Sequence, residues 1–92
     1  MKTKGYDIPD YLNREGKMIA HLNETLNDSD PAPFLVALGD IAASRNINQI
    51  SEITRIPVDE LNAIFSGRSD PLFFDVLNIT KALGLKFNFI VA

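Results

Sequence analysis

The stretch Asn48-Gln49-Ile50-Ser51-Glu52-Ile53-Thr54-Arg55-Ile56-Pro57-Val58-Asp59-Glu60-Leu61 constrains the fold more than any other part of the chain. Asn48 is a polar opener for a short helix, and Ile50 and Ile53 mark the face that helix buries. Arg55-Ile56-Pro57 makes a sharp corner. Leu61, Ile64 and Phe65 then mark the buried face of a second helix. Two short helices about such a corner are the pattern of a helix-turn-helix, which lays its second helix in the DNA major groove. This second helix opens Pro57-Val58-Asp59-Glu60, with acid where a DNA reader usually carries Arg, Gln or Ser.

Around that segment the chain provides one domain. Its 92 residues, 46% of them hydrophobic, suffice for a single core of modest stability. The absence of cysteine excludes a disulfide framework, a thiol nucleophile and Cys-based zinc sites, and fits a reducing cytoplasm. No apolar run approaches the ~20 residues of a membrane span. Met1-Lys2-Thr3-Lys4 has no apolar stretch behind it to make a signal peptide. A net charge of −3 argues against indiscriminate DNA binding by phosphate neutralisation, so a nucleic-acid role needs a local face or a dimer.

Residues 1–14 read as an N-terminal arm and 15–92 as one domain. Glu15 to Leu26 forms a helix, with Ile19, Leu22 and Leu26 on one face. Asn27-Asp28-Ser29-Asp30 breaks it. Asp30 caps the next helix and Pro31 occupies its first position. Phe34, Leu35, Leu38, Ile41 and Ala42 make this the central core helix, running to about Arg45. The helix-turn-helix covers about 48–66. After the loop Ser66 to Pro71, Leu72, Phe73, Val76, Leu77, Ile79 and Leu83 line a last helix, with Gly84 suited to end it. Leu85 to Val91 then alternates, with Leu85, Phe87, Phe89 and Val91 on one face, which predicts a strand. A lone strand needs a partner. The N-terminal arm, the same strand of a second subunit or a different protein would supply one; pairing across a two-fold would place Leu85, Phe87, Phe89, Ile90 and Val91 at a dimer interface. The fold class is all-α: a five-helix, lambda-repressor-like helix-turn-helix domain with one short C-terminal β-strand.

An enzyme is not expected. His21 is the single histidine, and Glu24, three positions on, could touch it, which is a commonplace pair. No nucleophile or third group completes a catalytic set. The aspartates are spread and suit helix starts. No calcium loop, phosphate loop or dinucleotide fingerprint occurs. We therefore expect no catalytic residue, metal or cofactor. The candidate DNA-binding residues are Asn48, Gln49, Val58, Asp59, Asn62, Ser66, Arg68 and Ser69. Gln49 is placed to reach a phosphate or base edge, and Asn62 to pair with adenine. Ser66, Arg68 and Ser69 would meet the backbone. Asp59 and Glu60 can accept from cytosine or simply offset the helix dipole.

These blocks also resemble a known family, the HigA-type probable addiction-module antidote proteins of the Xre/Cro-like helix-turn-helix superfamily. The resemblance runs from Tyr6 to Ala92. Tyr6-Asp7-Ile8-Pro9-Asp10-Tyr11-Leu12 is similar to the family's opening. Asp30-Pro31-Ala32-Pro33-Phe34-Leu35-Val36-Ala37-Leu38-Gly39-Asp40-Ile41-Ala42 is close to its central block, the most specific part. Asn48-Gln49-Ile50 stands for its Ser-Gln-Leu, and Lys81-Ala82-Leu83-Gly84-Leu85-Lys86 matches its end. The resemblance implies a dimeric cytoplasmic antitoxin. It would bind operator DNA of its own operon as an autorepressor and neutralise a small basic toxin of the RelE-like mRNA-interferase class. The departures gather on the reading side. Arg55 stands where the family has Gly, Pro57 and Val58 replace Ser-Arg, and Glu60 and Asn62 also differ. From Asn48 to Asp70, Arg55 and Arg68 face Glu52, Asp59, Glu60 and Asp70, a net −2. Two alternatives follow: an interaction module that kept the fold and lost DNA binding, or a stand-alone phage-type repressor without a toxin.

Overall fold

The computed structural model describes residues 10–92. Five helices follow one another: α1 (Asp10–Thr25), α2 (Ala32–Ala43), α3 (Ile47–Thr54), α4 (Val58–Phe65) and α5 (Phe73–Ala82). The chain is all-α, as expected. Residues 1–9 of the expected arm lie outside the described residues. The first helix starts at Asp10, ahead of the expected Glu15, and so continues across the position where arm and domain were divided.

Helix α2 is the centre. Its start is prepared by two carboxylates: Asp28 Oδ1 accepts from the Asp30 amide, and Asp30 Oδ1 accepts from the Ala32 amide at 3.0 Å. Pro31 occupies the cap position, where a missing N–H costs nothing. Leu35, Leu38, Ile41 and Ala42 recur at three- and four-residue steps, and all are buried. Helices α1, α3 and α4 pack against α2, and α5 packs against α3. Leu38, Ile41, Leu61 and Ile79 meet at the middle with essentially no exposed surface. Truncating such a side chain to alanine typically costs ~2–5 kcal/mol. Gly39 sets the approach of α2 to α4: a Cβ there would stand 2.6 Å from Phe65 Cβ. Arg45, just past α2, reaches Glu15 of α1 at 2.9 Å and donates to the Leu83 carbonyl at the end of α5.

The last helix ends as expected at Gly84, which takes φ 77°. The Gly84 amide donates to Lys81 O and the Leu85 amide to Thr80 O. This is the paired bonding of a Schellman motif, satisfying two carbonyls that the helix leaves free.

Several expectations fail. Beyond Gly84 the chain is irregular, and no strand occurs among the described residues. No described strand lies beside residues 85–91 to form a ladder, so alternation alone does not produce one. Leu85 and Phe87 turn in against the core, whereas Phe89, Ile90 and Val91 are almost wholly exposed. The segment is held by rings: Phe87 lies 6.3 Å from Phe34, 6.0 Å from Phe73 and 6.4 Å from Phe89, the last pair stacked. Ile53 is 56% exposed. The inward arc of α3 is set by Ile47, Ile50, Ser51 and Thr54, and at about 100° per residue Ile53 falls to one side of it. Leu26 lies past the end of α1, and Leu72 precedes α5, so both stay exposed. Among the described residues no helix is long and apolar enough to cross a membrane.

Candidate nucleic-acid interface

Helix α3 is opened by Asn46, not Asn48. Asn46 is extended (ψ 108°), and its side chain accepts from the amides of Asn48 and Gln49. Asn48 therefore sits in the first turn with its amide already taken and its side chain exposed. Asn46-Ile47-Asn48-Gln49 carries the spacing of a capping box, so the sequence held this signal.

The corner is built by five residues, Ser51, Thr54, Arg55, Ile56 and Asn78. Arg55 ends α3 in the left-handed conformation, φ 64° and ψ 24°. It is the one non-glycine among the described residues with positive φ. The backbone thus keeps a glycine-like turn without glycine, at a general cost of about 1–2 kcal/mol for a side chain in this region. Ser51 Oγ donates to the Ile56 carbonyl at 2.6 Å. Thr54 Oγ1 donates to Ile50 O at 2.8 Å and accepts from the Ile56 amide at 3.2 Å. Asn78 of α5 donates across to the Thr54 carbonyl at 3.0 Å. Ile56 is buried beneath the corner. The Arg55 and Ile56 amides and the Thr54 and Ile56 carbonyls are thereby engaged. Thr54 and Asn78 are 24 residues apart, and no local pattern announces their contact.

Pro57 (φ −57°, ψ 149°) leads into α4 without a side-chain cap. Asp59 and Glu60 occupy the first turn, where their charge offsets the helix dipole. Leu61 and Ile64 turn inward. On the opposite side Asp59, Asn62 and Ser66 follow at three- and four-residue steps, so the structure brings these three candidates onto one exposed face. Val58 lies on the flank, half-buried. Ser66 has less to offer than its composition suggested. Its hydroxyl donates to Ala63 O and accepts from the Arg68 amide, which ties it to the end of α4. Arg68 and Ser69 are exposed in the following loop. Gln49 stands apart from the α4 face, in a depression that it shares with Arg45, Ile53, Ala82 and Leu83.

This surface presents amides and carboxylates with two flanking cations, Arg55 and Arg68, both exposed. It can exchange hydrogen bonds with base edges and place about one phosphate contact at each end. The dimer-interface candidates divide: Phe89, Ile90 and Val91 are exposed, whereas Leu85 and Phe87 are partly covered by their own core.

A family model described as "Probable addiction module antidote protein" matches residues 2–91. An uncharacterized protein of Haemophilus influenzae is 37% identical over 86 residues, which cover 94% of this chain and 89% of that protein. No solved structure matches.

Proposed function

The chain belongs to the family of probable addiction module antidote proteins, and from that premise we propose that it is the antitoxin and autorepressor of a two-gene module. The family match carries the antidote half. A toxin partner follows from it, and we assign that toxin to the small, basic, RelE-like mRNA interferases, which makes the chain HigA-type and cytoplasmic.

For the DNA half, we read α3, its corner and α4 as a helix-turn-helix of the Xre/Cro, lambda-repressor-like kind within one domain. Support comes from the length of the two helices, the left-handed turn at Arg55 and the exposed row Asp59, Asn62 and Ser66. In this reading α4 enters the major groove of operator DNA. Asn62 reads adenine, Asp59 accepts from cytosine, and Arg68 with Ser69 meets the backbone. A homodimer joined through the tail, Leu85 to Val91, would place two copies of α4 at half-sites about 34–36 Å apart.

The two flanking cations per subunit set the strength. About four phosphate contacts per dimer give a salt slope near −3.6, well below that of strongly basic repressors. Binding is therefore best sought at low salt. The test is a mobility shift on DNA upstream of the protein's own gene, with and without the product of the adjacent gene. A sequence-specific shift is expected. If none forms at low salt in either condition, the repressor half fails. A pull-down of the adjacent product tests the antidote half separately. The acid at Asp59 and Glu60 favours one other reading, a module that keeps the antidote role and no longer binds DNA. It predicts a pull-down without a shift.

A further inference from the structure

At the end of α4 remote from the corner lies an open groove of about 480 Å³. Pro31, Phe34 and Leu35 line it from the start of α2, Phe73 and Val76 from α5, and Phe87 from the tail. The loop Gly67–Pro71 forms its remaining side. Gly67 fits there because its φ is 77° and a Cβ would press on Val36 and the Ala32 carbonyl. The floor is aromatic: Phe34 and Phe73 lie 6.3 and 6.0 Å from Phe87 by ring centroids, and Phe89, outside the groove, stacks on Phe87 at 6.4 Å. Phe73 is 65% exposed and Phe74 beside it 72%. The charged residues that line this apolar floor are acidic, with Arg68 and Lys86 close by in sequence but outside the lining. Asp30 and Asp70 are among the lining residues, and no Lys or Arg is.

We propose that this groove takes an amphipathic segment of the cognate toxin, with apolar anchors flanked by Lys or Arg. The inference rests on the antidote reading and names its surface. Aromatic side chains around a cleft supply the packing that anchors a partner side chain. The acidic rim attracts a basic partner and orients its approach. The same rim disfavours a second copy of this chain as occupant of the groove itself, and the tail-joined dimer would use Phe89, Ile90 and Val91, which are exposed and do not line it. Pairing the face with itself brings Asp30 and Asp70 of one copy toward those of the other, in chains that each carry −3.

The experiment uses the full chain and the co-expressed product of the adjacent gene, with affinity measured by titration calorimetry. Asp70→Lys and Phe73→Ser alter exposed positions, and circular dichroism checks that each variant remains folded. Each is expected to weaken the complex tenfold or more, Asp70→Lys most at low salt, while His21→Ala on α1 leaves it unchanged. Wild-type affinity in both groove variants would overturn the inference and leave the antidote reading standing. So would self-association that Phe73→Ser abolishes while the complex is untouched. Failure of the wild-type chain to bind the adjacent product at all overturns the antidote reading, and the inference with it.

Discussion

Replacing Thr54 by Val isolates one hydrogen bond at the corner between α3 and α4. Thr54 is 5% exposed, and valine reproduces its shape and its branch at Cβ. The hydroxyl makes two bonds, and their loss is unequal. The Ile50 carbonyl lies within α3, where the helix supplies another donor four residues on. The Ile56 amide lies outside any helix, and Thr54 Oγ1 is its acceptor. Ile56 is buried, so the valine leaves a buried N–H unpaired, which costs about 1–3 kcal/mol. For a domain of this size each kcal/mol moves the midpoint by about 4–8 °C, so Tm should fall by about 4–24 °C. Two companions fix the interpretation. Thr54→Ser keeps the hydroxyl and gives up one buried methyl, about 1 kcal/mol. Thr80→Val makes the same chemical change at an equally buried threonine, whose hydroxyl donates only to Leu77 O inside α5. It should cost less than ~1 kcal/mol, because no donor is stranded. Urea denaturation gives the three values, and hydrogen exchange reports directly on the Ile56 amide. If Thr54→Val and Thr80→Val cost the same within about 0.5 kcal/mol, the corner does not depend on that bond and the reasoning is wrong.

Other perturbations probe neighbouring claims. Gly39→Ala should destabilise by about 1–3 kcal/mol although alanine favours helix, because its methyl would strike Phe65 Cβ; a stabilised variant in urea would show that α2 and α4 separate freely. Arg55→Gly relieves about 1–2 kcal/mol of left-handed strain against roughly 0.5–1 kcal/mol of added chain entropy, so thermal unfolding should rise slightly; a clear drop would mean that the arginine side chain holds the turn. Arg68→Ala should weaken operator binding evenly across sequences and, by losing one contact in each subunit, reduce the salt slope of the dimer by about 1.8, whereas Asn62→Ala should relax preference at one base pair of each half-site. Truncation after Gly84 should leave a folded core but weaken dimerisation in sedimentation, and an undiminished dimer would remove the tail from that interface.

Helix periodicity made most of this fold readable. Leu38, Ile41, Leu61 and Ile64 fall at helical steps and are buried where that spacing put them. Gly84 ended its helix because φ near +77° is open to glycine without steric cost. The misses have distinct causes. Three-residue spacing from Ile50 predicts Ile53 inward, but that spacing ignores which side Ile47 and Thr54 choose. The tail alternated like a strand, but strand formation depends on a neighbour and the tail's own residues do not specify one. Asn46 was legible as a cap through its spacing to Gln49. The engagement of Ser66 was not, since a serine in a loop has the same composition whether it faces solvent or closes the helix behind it. The aromatic groove escaped because its sides come from residues 30–35, 67–76 and 87, which only the fold assembles.

The loop from Ser66 to Pro71 belongs to two surfaces at once. It closes α4 through the Ser66 hydroxyl and, a few atoms further on, forms the side of the groove with Gly67, Ser69 and Asp70. Ligands that touch these two surfaces share one short piece of backbone, and thermodynamic reciprocity then governs them. If occupancy of the groove changes the affinity of the α4 face by some factor, occupancy of that face changes the affinity of the groove by the same factor. Under the proposed function, any such factor would make DNA binding and toxin binding coupled quantities.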